Sequence, residues 1–235
     1  MKEKAMPTKK RDIVYILKGE HSEELIYSLR SVEKNFPHRF VWFVGGCPEG
    51  LKPDRAVIHE QSGADKWERI RSSMIKVIQE PELSEEFFLF NDDFFIMKQV
   101  KGKFVNFIDL ELEDRIEELR KSNPWLEPYG RTLYKANEEL KMAKATRHNF
   151  EVHLPMLFEK SKGFSILECS SPQMRSIYGN LNKVPVQQHA DVKVYDLESV
   201  PEDPDFLSTN DNTFAKGRVG EYIREAFPDP SRFEE

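Results

Sequence analysis

Apolar residues fall in short dense runs over the first hundred positions, and amphipathic stretches lie between them. Ile13-Val14-Tyr15-Ile16-Leu17 follows Asp12 as an almost unbroken apolar run, and Phe40-Val41-Trp42-Phe43-Val44 is a second, closed by Gly45-Gly46. Residues 57–58 suggest a short third strand, and residues 86–90 a fourth that stops at Asn91-Asp92-Asp93, with 94–97 continuing as extended chain. Near-continuous apolar strands suit a parallel sheet covered on both faces. Residues 21–35 have helical spacing, with Leu25, Ile26, Leu29 and Val32 on one face. Ser22 is placed to cap that helix, and Glu23 and Glu24 suit its positive start. Residues 64–79 repeat the helical pattern. The alternation predicts βα units and an α/β fold, a mainly parallel sheet flanked by helices.

Beyond residue 100 the pattern turns helical. Helices are expected at 110–121 and 131–145, shorter ones at 154–161 and 171–178, and a last one at 217–227 that Pro228 and Pro230 stop. Residues 182–206 are mixed, with a strand expected at 192–197. No repeat and no Pro-, Gly- or Ser-rich linker divides the chain, so a mobile Lys-rich tail at 1–11 and a single domain at 12–235 are expected.

Composition narrows the classes. The chain has 235 residues with 17 Phe and 3 Trp, too aromatic for a disordered protein. A net charge of −6 argues against general nucleic-acid binding, yet permits a nucleotide-sized ligand held by a few local cations. The apolar runs are too short for a membrane span, and no apolar stretch follows the basic first ten residues to make a secretory leader. Cys47 and Cys169 make neither a metal cluster nor a disulfide framework, so a reducing cytoplasm is expected.

The sharpest chemical feature is Phe87-Phe88-Leu89-Phe90-Asn91-Asp92-Asp93. An apolar strand there delivers an amide and two carboxylates at its carboxyl end, where open α/β sheets bind ligands. Adjacent carboxylates suit Mg²⁺ or Mn²⁺ bridging to a diphosphate; a plain strand-to-turn transition is the competing explanation. Asn210-Asp211-Asn212 is a second such cluster, or a turn or helix cap. His153 could be a general base or a phosphate ligand, or simply a surface residue. His148 is a weaker candidate, and His189 with Asp191 is either a metal pair or solvated loop. Cations for phosphate are Lys18, Arg30, Lys66, Arg69, Arg71, Arg131 and Arg175, of which Lys66 and Arg69 share a helix face.

Taken together, four segments resemble the conserved blocks of the Stealth family of sugar-1-phosphate transferases, which includes bacterial capsular polysaccharide phosphotransferases and the lysosomal-enzyme N-acetylglucosamine-1-phosphotransferase. The first is Asp12-Ile13-Val14-Tyr15 with Tyr27-Ser28-Leu29-Arg30-Ser31-Val32-Glu33. The second is Phe88-Leu89-Phe90-Asn91-Asp92-Asp93-Phe94, and the third is His153-Leu154-Pro155 followed by Met174-Arg175-Ser176. The fourth is Leu207-Ser208-Thr209-Asn210-Asp211-Asn212, closing on Phe227-Pro228-Asp229-Pro230-Ser231-Arg232-Phe233-Glu234. Ile16-Leu17-Lys18 stands where the family's first block ends Thr-Trp-Val, and Glu68 is the nearest match to an Ile-Glu pair the family carries before its second block.

The resemblance implies a GT-A-like nucleotide-sugar transferase, bacterial or phage-encoded, that uses Mg²⁺ or Mn²⁺. It would move a sugar-1-phosphate from a nucleotide-diphosphate sugar, a UDP-sugar such as UDP-GlcNAc, to a hydroxyl of a glycan, polysaccharide or other acceptor. It implies catalytic roles for Asp92, Asp93, His153 and Arg175, metal contacts from Asp93 and Asp211, and donor binding by Asp12, Lys18, Gly19, Arg30, Asn91, Lys66, Arg71 and Arg131. The rivals are an ordinary glycosyltransferase on the same scaffold and a degenerate glycan-binding module.

Overall fold

A computed structural model describes residues 11–102 and 104–235. The chain runs through β1 (Asp12–Leu17), α1 (Glu23–Asn35), β2 (Val41–Gly45), β3 (Arg55–Ile58), α2 (Lys66–Gln79), β4 (Glu86–Phe90) and β5 (Phe94–Ile96). It continues through β6 (Asn106–Ile108), α3 (Leu112–Ser122), α4 (Pro128–Met142), β7 (Met156–Glu159), a 3-10 segment at Lys160–Leu167, and α5 (Met174–Leu181). The last elements are β8 (Val186–Gln188), β9 (Phe206–Ser208), α6 (Asp211–Lys216) and α7 (Arg218–Ala226).

Five strands make the central sheet in the order β3-β2-β1-β4-β7. The β1–β2, β2–β3 and β1–β4 pairs are parallel, and β7 alone runs antiparallel, against β4. The starts of α1 and α2 follow from their caps: Ser22 Oγ accepts the Leu25 N–H at 3.3 Å, and Asp65 Oδ1 accepts the Glu68 N–H at 2.9 Å. On one face of the sheet Leu25, Leu29 and Val32 of α1 pack on Ile13, Tyr15, Phe43 and Phe88. On the other, Met74, Val77 and Ile78 of α2 pack on Val14, Trp42, Phe87 and Leu89. Alternate residues of one strand thus enter opposite cores, which is why the strands read as unbroken apolar runs.

From β1 the chain moves outward to β2 and β3, then returns past β1 to lay down β4 on the other side. Connections therefore leave the carboxyl ends of β1 and β4 in opposite directions, and a crevice opens between them. Lys18 follows one strand end and Asn91-Asp92-Asp93 the other.

The expected helix at 154–161 is instead β7 and the start of the 3-10 segment. Met156 and Phe158 are buried while Leu157 and Glu159 are half-buried, a two-residue period. The free edge of β4 supplies the backbone partners, with Phe87 opposite Phe158 and Phe88 opposite Leu157. The expected strand at 192–197 is reduced to a single bridge between Lys193 and Ser208. Three strands, β6, β8 and β9, are too short at three residues each to leave a period in the sequence. The helix expected at 131–145 begins earlier, because Pro128 occupies its first turn, and ends before Lys144, whose φ is +54°. The expected tail 1–11 lies outside the described residues except for Arg11, whose Nε donates to Glu86 Oε2 at 3.2 Å. Among the described residues no helix is long and apolar enough to cross a membrane.

Candidate functional site

Two cavities of about 500 and 420 Å³ meet at the β1–β4 crevice, and Lys66, Ile70 and Asp92 line both. These volumes suit small-molecule ligands. The first cavity lies between the end of β1, the start of α1 and the start of α2, with Lys18, Glu24, Gln61, Arg69 and Asp211 on its walls. Gly19 turns the chain there with φ +94°, and a Cβ on Gly46 would come 2.4 Å from its Cα, so the two loops can cross only as glycines. The second cavity is lined by Asn91, Asp93, His153, Arg175 and Lys193, among others.

Strand pairing brings the distant segments together. β9 runs antiparallel to β5, with Phe94 opposite Ser208, and this places Ser208 to Asp211 beside the Asn91-Asp92-Asp93 turn. Ser208 Oγ donates to Asp93 Oδ2 at 3.2 Å. Thr209 Oγ1 donates to Glu24 Oε1 at 2.5 Å, tying the first turn of α1 to the same loop. Asn210 caps α6 with a reciprocal Thr213 bond, so the capping role holds for Asn210 while its neighbour Asp211 faces the first cavity.

Four carboxylates crowd this corner. Burial, and then the charges of Asp93 and Asp211, push Asp92 up to about 6. Glu24, which the sequence reading missed, is pushed up to about 7 by burial, with Asp93, Asp92 and Asp211 adding to it and the Thr209 bond opposing it. The clue in the sequence was only an acidic residue in a helix's first turn, a position better known for capping.

Lys193 Nζ meets Asp93 Oδ2 at 2.8 Å, and Asp93 Oδ1 is buried with no hydrogen-bond partner among the described residues. As the side chains lie, no group of three or more His, Cys, Asp or Glu among the described residues could hold a metal ion. The donor chemistry for one is nonetheless present: hard carboxylate oxygens, mutual repulsion that a cation would relieve, and one buried oxygen without a partner.

Ionised Asp92 therefore costs the cation-free protein stability. The penalty is absent below the ordinary value of 3.8, grows as pH rises from there, and is complete above about 6. That shift corresponds to about 3 kcal/mol. The melting temperature of cation-free protein is expected to fall by roughly 10 °C between pH 5 and 8, with Glu24 giving the larger share, and Asp92→Asn should remove about a third of the fall in differential scanning calorimetry. Asp54, Asp191 and Glu234, all held below the usual carboxylate range, act only at lower pH.

In the second cavity Arg175 is enclosed, and its hydrogen bonds go to neutral oxygens: Nη1 to Leu154 O and Nη2 to Asn91 Oδ1, each at 2.9 Å. Burial lowers its pKa, with Glu151 and Asp93 opposing. Its guanidinium lies 5.4 Å from the Phe94 ring centroid, and the His153 ring meets the same phenyl edge-on at 6.5 Å. His153 Nδ1 is 2.8 Å from Asp191 Oδ1. Burial alone would raise Asp191, but the His153 bond and charge outweigh it and hold the carboxyl low. Asp191 thus partners His153 rather than His189, whose Nδ1 turns to Ala190 O at 2.6 Å. His148 pairs with Glu111 on the surface, and Glu68, in the first turn of α2, accepts the N–H of Ala64 just before the cap at 2.9 Å.

Five of the expected donor contacts line neither cavity, Gly19 at the turn among them. Asp12 is fully buried at the amino end of β1, the end away from the crevice, where it accepts Arg39 Nε and Nη2 at 2.8 Å. Arg71 Nη2 donates to Ile166 O and Cys169 O, which fastens the 3-10 segment to α2. Arg131 is exposed and donates to Leu126 O at 3.2 Å. Arg30 grips the carboxyl terminus, Nε donating to Glu234 Oε1 at 2.9 Å and Nη1 to Phe227 O at 3.1 Å. The closing Phe-Pro-x-Pro-Ser-x-Phe-Glu segment is thereby a clasp on α1 and not part of either cavity. Arg30→Ala is expected to cost about 3 kcal/mol in urea unfolding, as breaking an enclosed ion pair does, and to leave ligand affinity unchanged.

No family model and no curated protein matches the chain.

Proposed function

We propose that the chain is a GT-A-like transferase of the Stealth type, which moves a sugar-1-phosphate from a nucleotide-diphosphate sugar to an acceptor hydroxyl. One observation carries the reading: the segments quoted for the second, third and fourth blocks, far apart in sequence, supply Asp92 with Asp93, His153 with Arg175, and Asp211 to two joined cavities at the switch point of the sheet.

In this reading the nucleoside end of the donor enters the first cavity beside Lys18 and Arg69, and its diphosphate lies at the junction near Lys66. Asp92, Asp93 and Asp211 would hold Mg²⁺ or Mn²⁺, which would neutralise the diphosphate when bound. Arg175 has its hydrogen bonds on neutral oxygens, so its charge is available to the transferring phosphate, which a planar guanidinium fork suits. Asp191 accepts from His153 Nδ1, which leaves Nε2 free to take the acceptor's proton. The acceptor oxygen bonds to the phosphorus next to the sugar, and the bond from that phosphorus to the leaving nucleoside monophosphate breaks. The anomeric carbon–oxygen bond is untouched, so the sugar keeps its configuration. Positioning and charge neutralisation are most of what such a transfer requires.

The test is a panel of nucleotide sugars with Mn²⁺ or Mg²⁺, an oligosaccharide acceptor, and identification of the nucleotide released. Nucleoside monophosphate with a sugar-phosphate diester supports the reading, with release abolished by EDTA. Nucleoside diphosphate would make the protein a glycosyltransferase, and no release from any donor would make it a binding module.

A further inference from the structure

The segment 191–195 carries three side chains toward the site at alternate positions. Asp191 bonds His153, Lys193 bonds Asp93, and Tyr195 lines the second cavity. Between them Val194 is buried in the core formed by β5, β9, α6 and α7. The backbone here is held firmly: the Val194 N–H donates to Ser208 O at 2.8 Å, and Thr213 Oγ1 donates to Val194 O at 3.0 Å. Lys193 is thus a long flexible stem on a fixed base.

Its head is in an unusual place. The ammonium and the Asp93 carboxylate are 15% and 13% exposed, and the pair lies among carboxylates that repel one another. Burial alone would lower the Lys193 pKa, and Asp93 raises it instead, so the charge is held there by the carboxylate. Yet the ammonium leaves Asp93 Oδ1 without a partner. A single positive charge thus answers a cluster of four carboxylates only in part. A divalent cation on Asp93 would repel the ammonium at such range, so the two compete for one carboxylate. Lys193 also lines the cavity that holds Arg175 and His153, so a displaced head has an anion-binding space to enter.

We propose that Lys193 is a displaceable counter-ion. It neutralises Asp93 while no divalent cation is bound, and an arriving cation releases it toward the phosphate in the second cavity. This rests on the reading of Asp92, Asp93 and Asp211 as cation ligands. The coupling is reciprocal: Lys193 weakens cation binding to the ligand-free protein, and the cation frees Lys193 to hold the donor. Cation and donor would then bind as a pair, and the empty protein would hold metal poorly.

The test uses Mn²⁺ alone, with free ion counted by electron paramagnetic resonance in nucleotide-free protein at fixed pH and ionic strength. Lys193→Met is expected to bind Mn²⁺ on the order of tenfold tighter than wild type, within the usual range for coupled sites. Lys193→Arg, which keeps the charge, should stay near wild type, and Asp93→Asn should bind least. Lys193→Gln serves as a second neutral variant, and thermal melts establish that each protein is folded. A merely structural lysine would give equal or weaker Mn²⁺ binding on removal, so equal or weaker affinity in both neutral variants overturns the proposal. If Asp93→Asn still abolishes binding in that case, the cation reading survives without Lys193. Absence of Mn²⁺ binding in every variant overturns both.

Discussion

Asp93→Asn is expected to lower the transfer rate at least about a hundredfold while the protein remains folded. The side chain keeps its shape, and its place between Ser208 and the second cavity, but it loses the charge. Three consequences follow from the geometry. The Lys193 ammonium, 2.8 Å away, loses the anion that holds it. The buried Oδ1, which has no partner among the described residues, ceases to be a hard anionic ligand. Asp92 loses the largest neighbouring charge acting on it, so its pKa falls from about 6 toward the ordinary range. The melting pH profile should therefore flatten even as activity disappears, a signature that unfolding would not produce. Asp12→Asn is the control. It too changes a buried carboxylate at a strand end, bonded to Arg39, but at the amino end of β1. It should lower stability and leave the turnover of the folded fraction unchanged. Activity of Asp93→Asn within twofold of wild type would remove the carboxylate from the chemistry, since groups in metal or proton-transfer roles contribute a hundredfold or more.

The contrast between Asp12 and Asp93 shows what the residues alone could tell. Both are aspartates at the end of an apolar strand, and direction decides their roles. The carboxyl ends of parallel strands gather at one edge of a sheet, so Asn91-Asp92-Asp93 was legible as a ligand site from strand order alone. The same rule places Asp12 at the wrong end. The apolar runs of β1, β2 and β4 and the periods of α1 and α2 were equally legible, because each element carries its own pattern. β7 was not, because its four residues take their strand character from the free edge of β4 and not from their own sequence neighbourhood. The partners of the cations were hidden for a similar reason. Arg30 and Arg175 are both arginines in helices, yet one closes on Glu234 at the chain's far end and the other on the neutral oxygens of Leu154 and Asn91. Only packing separates an arginine whose charge is satisfied from one whose charge is available. Lys193 was hidden, and Asp191 was set beside His189 and not His153, because no ladder marks their segment and their alternate placement shows only against His153 and Asp93.

His153 and Arg175 are expected to act as one unit, so that losing either costs nearly as much as losing both. They meet through Phe94, whose ring contacts the guanidinium on one side and the imidazole at its edge. Both line the second cavity, and the buried Glu151 carboxylate interacts with the Arg175 charge there. A phosphate placed against Arg175 therefore fixes where the acceptor must stand for His153 to take its proton. His153→Gln removes the base while keeping a polar side chain. Arg175→Ala would leave Leu154 O and Asn91 without a donor in an enclosed space and risk the fold, so Arg175→Lys is the informative change: it retains charge and loses the fork. Each single variant should lower kcat by about a hundredfold or more. The double variant should be little worse than the poorer single, as for groups that serve one transition state. Asp191→Asn provides an independent check, because it weakens the bond that orients His153 while the amide oxygen can still accept the Lys193 N–H. It should lower kcat less than His153→Gln, and its effect should vanish in the His153→Gln background. Losses that multiply in full would assign Arg175 to donor binding and His153 to the acceptor as separate tasks, and near-wild-type turnover in either single variant would return that residue to a packing role.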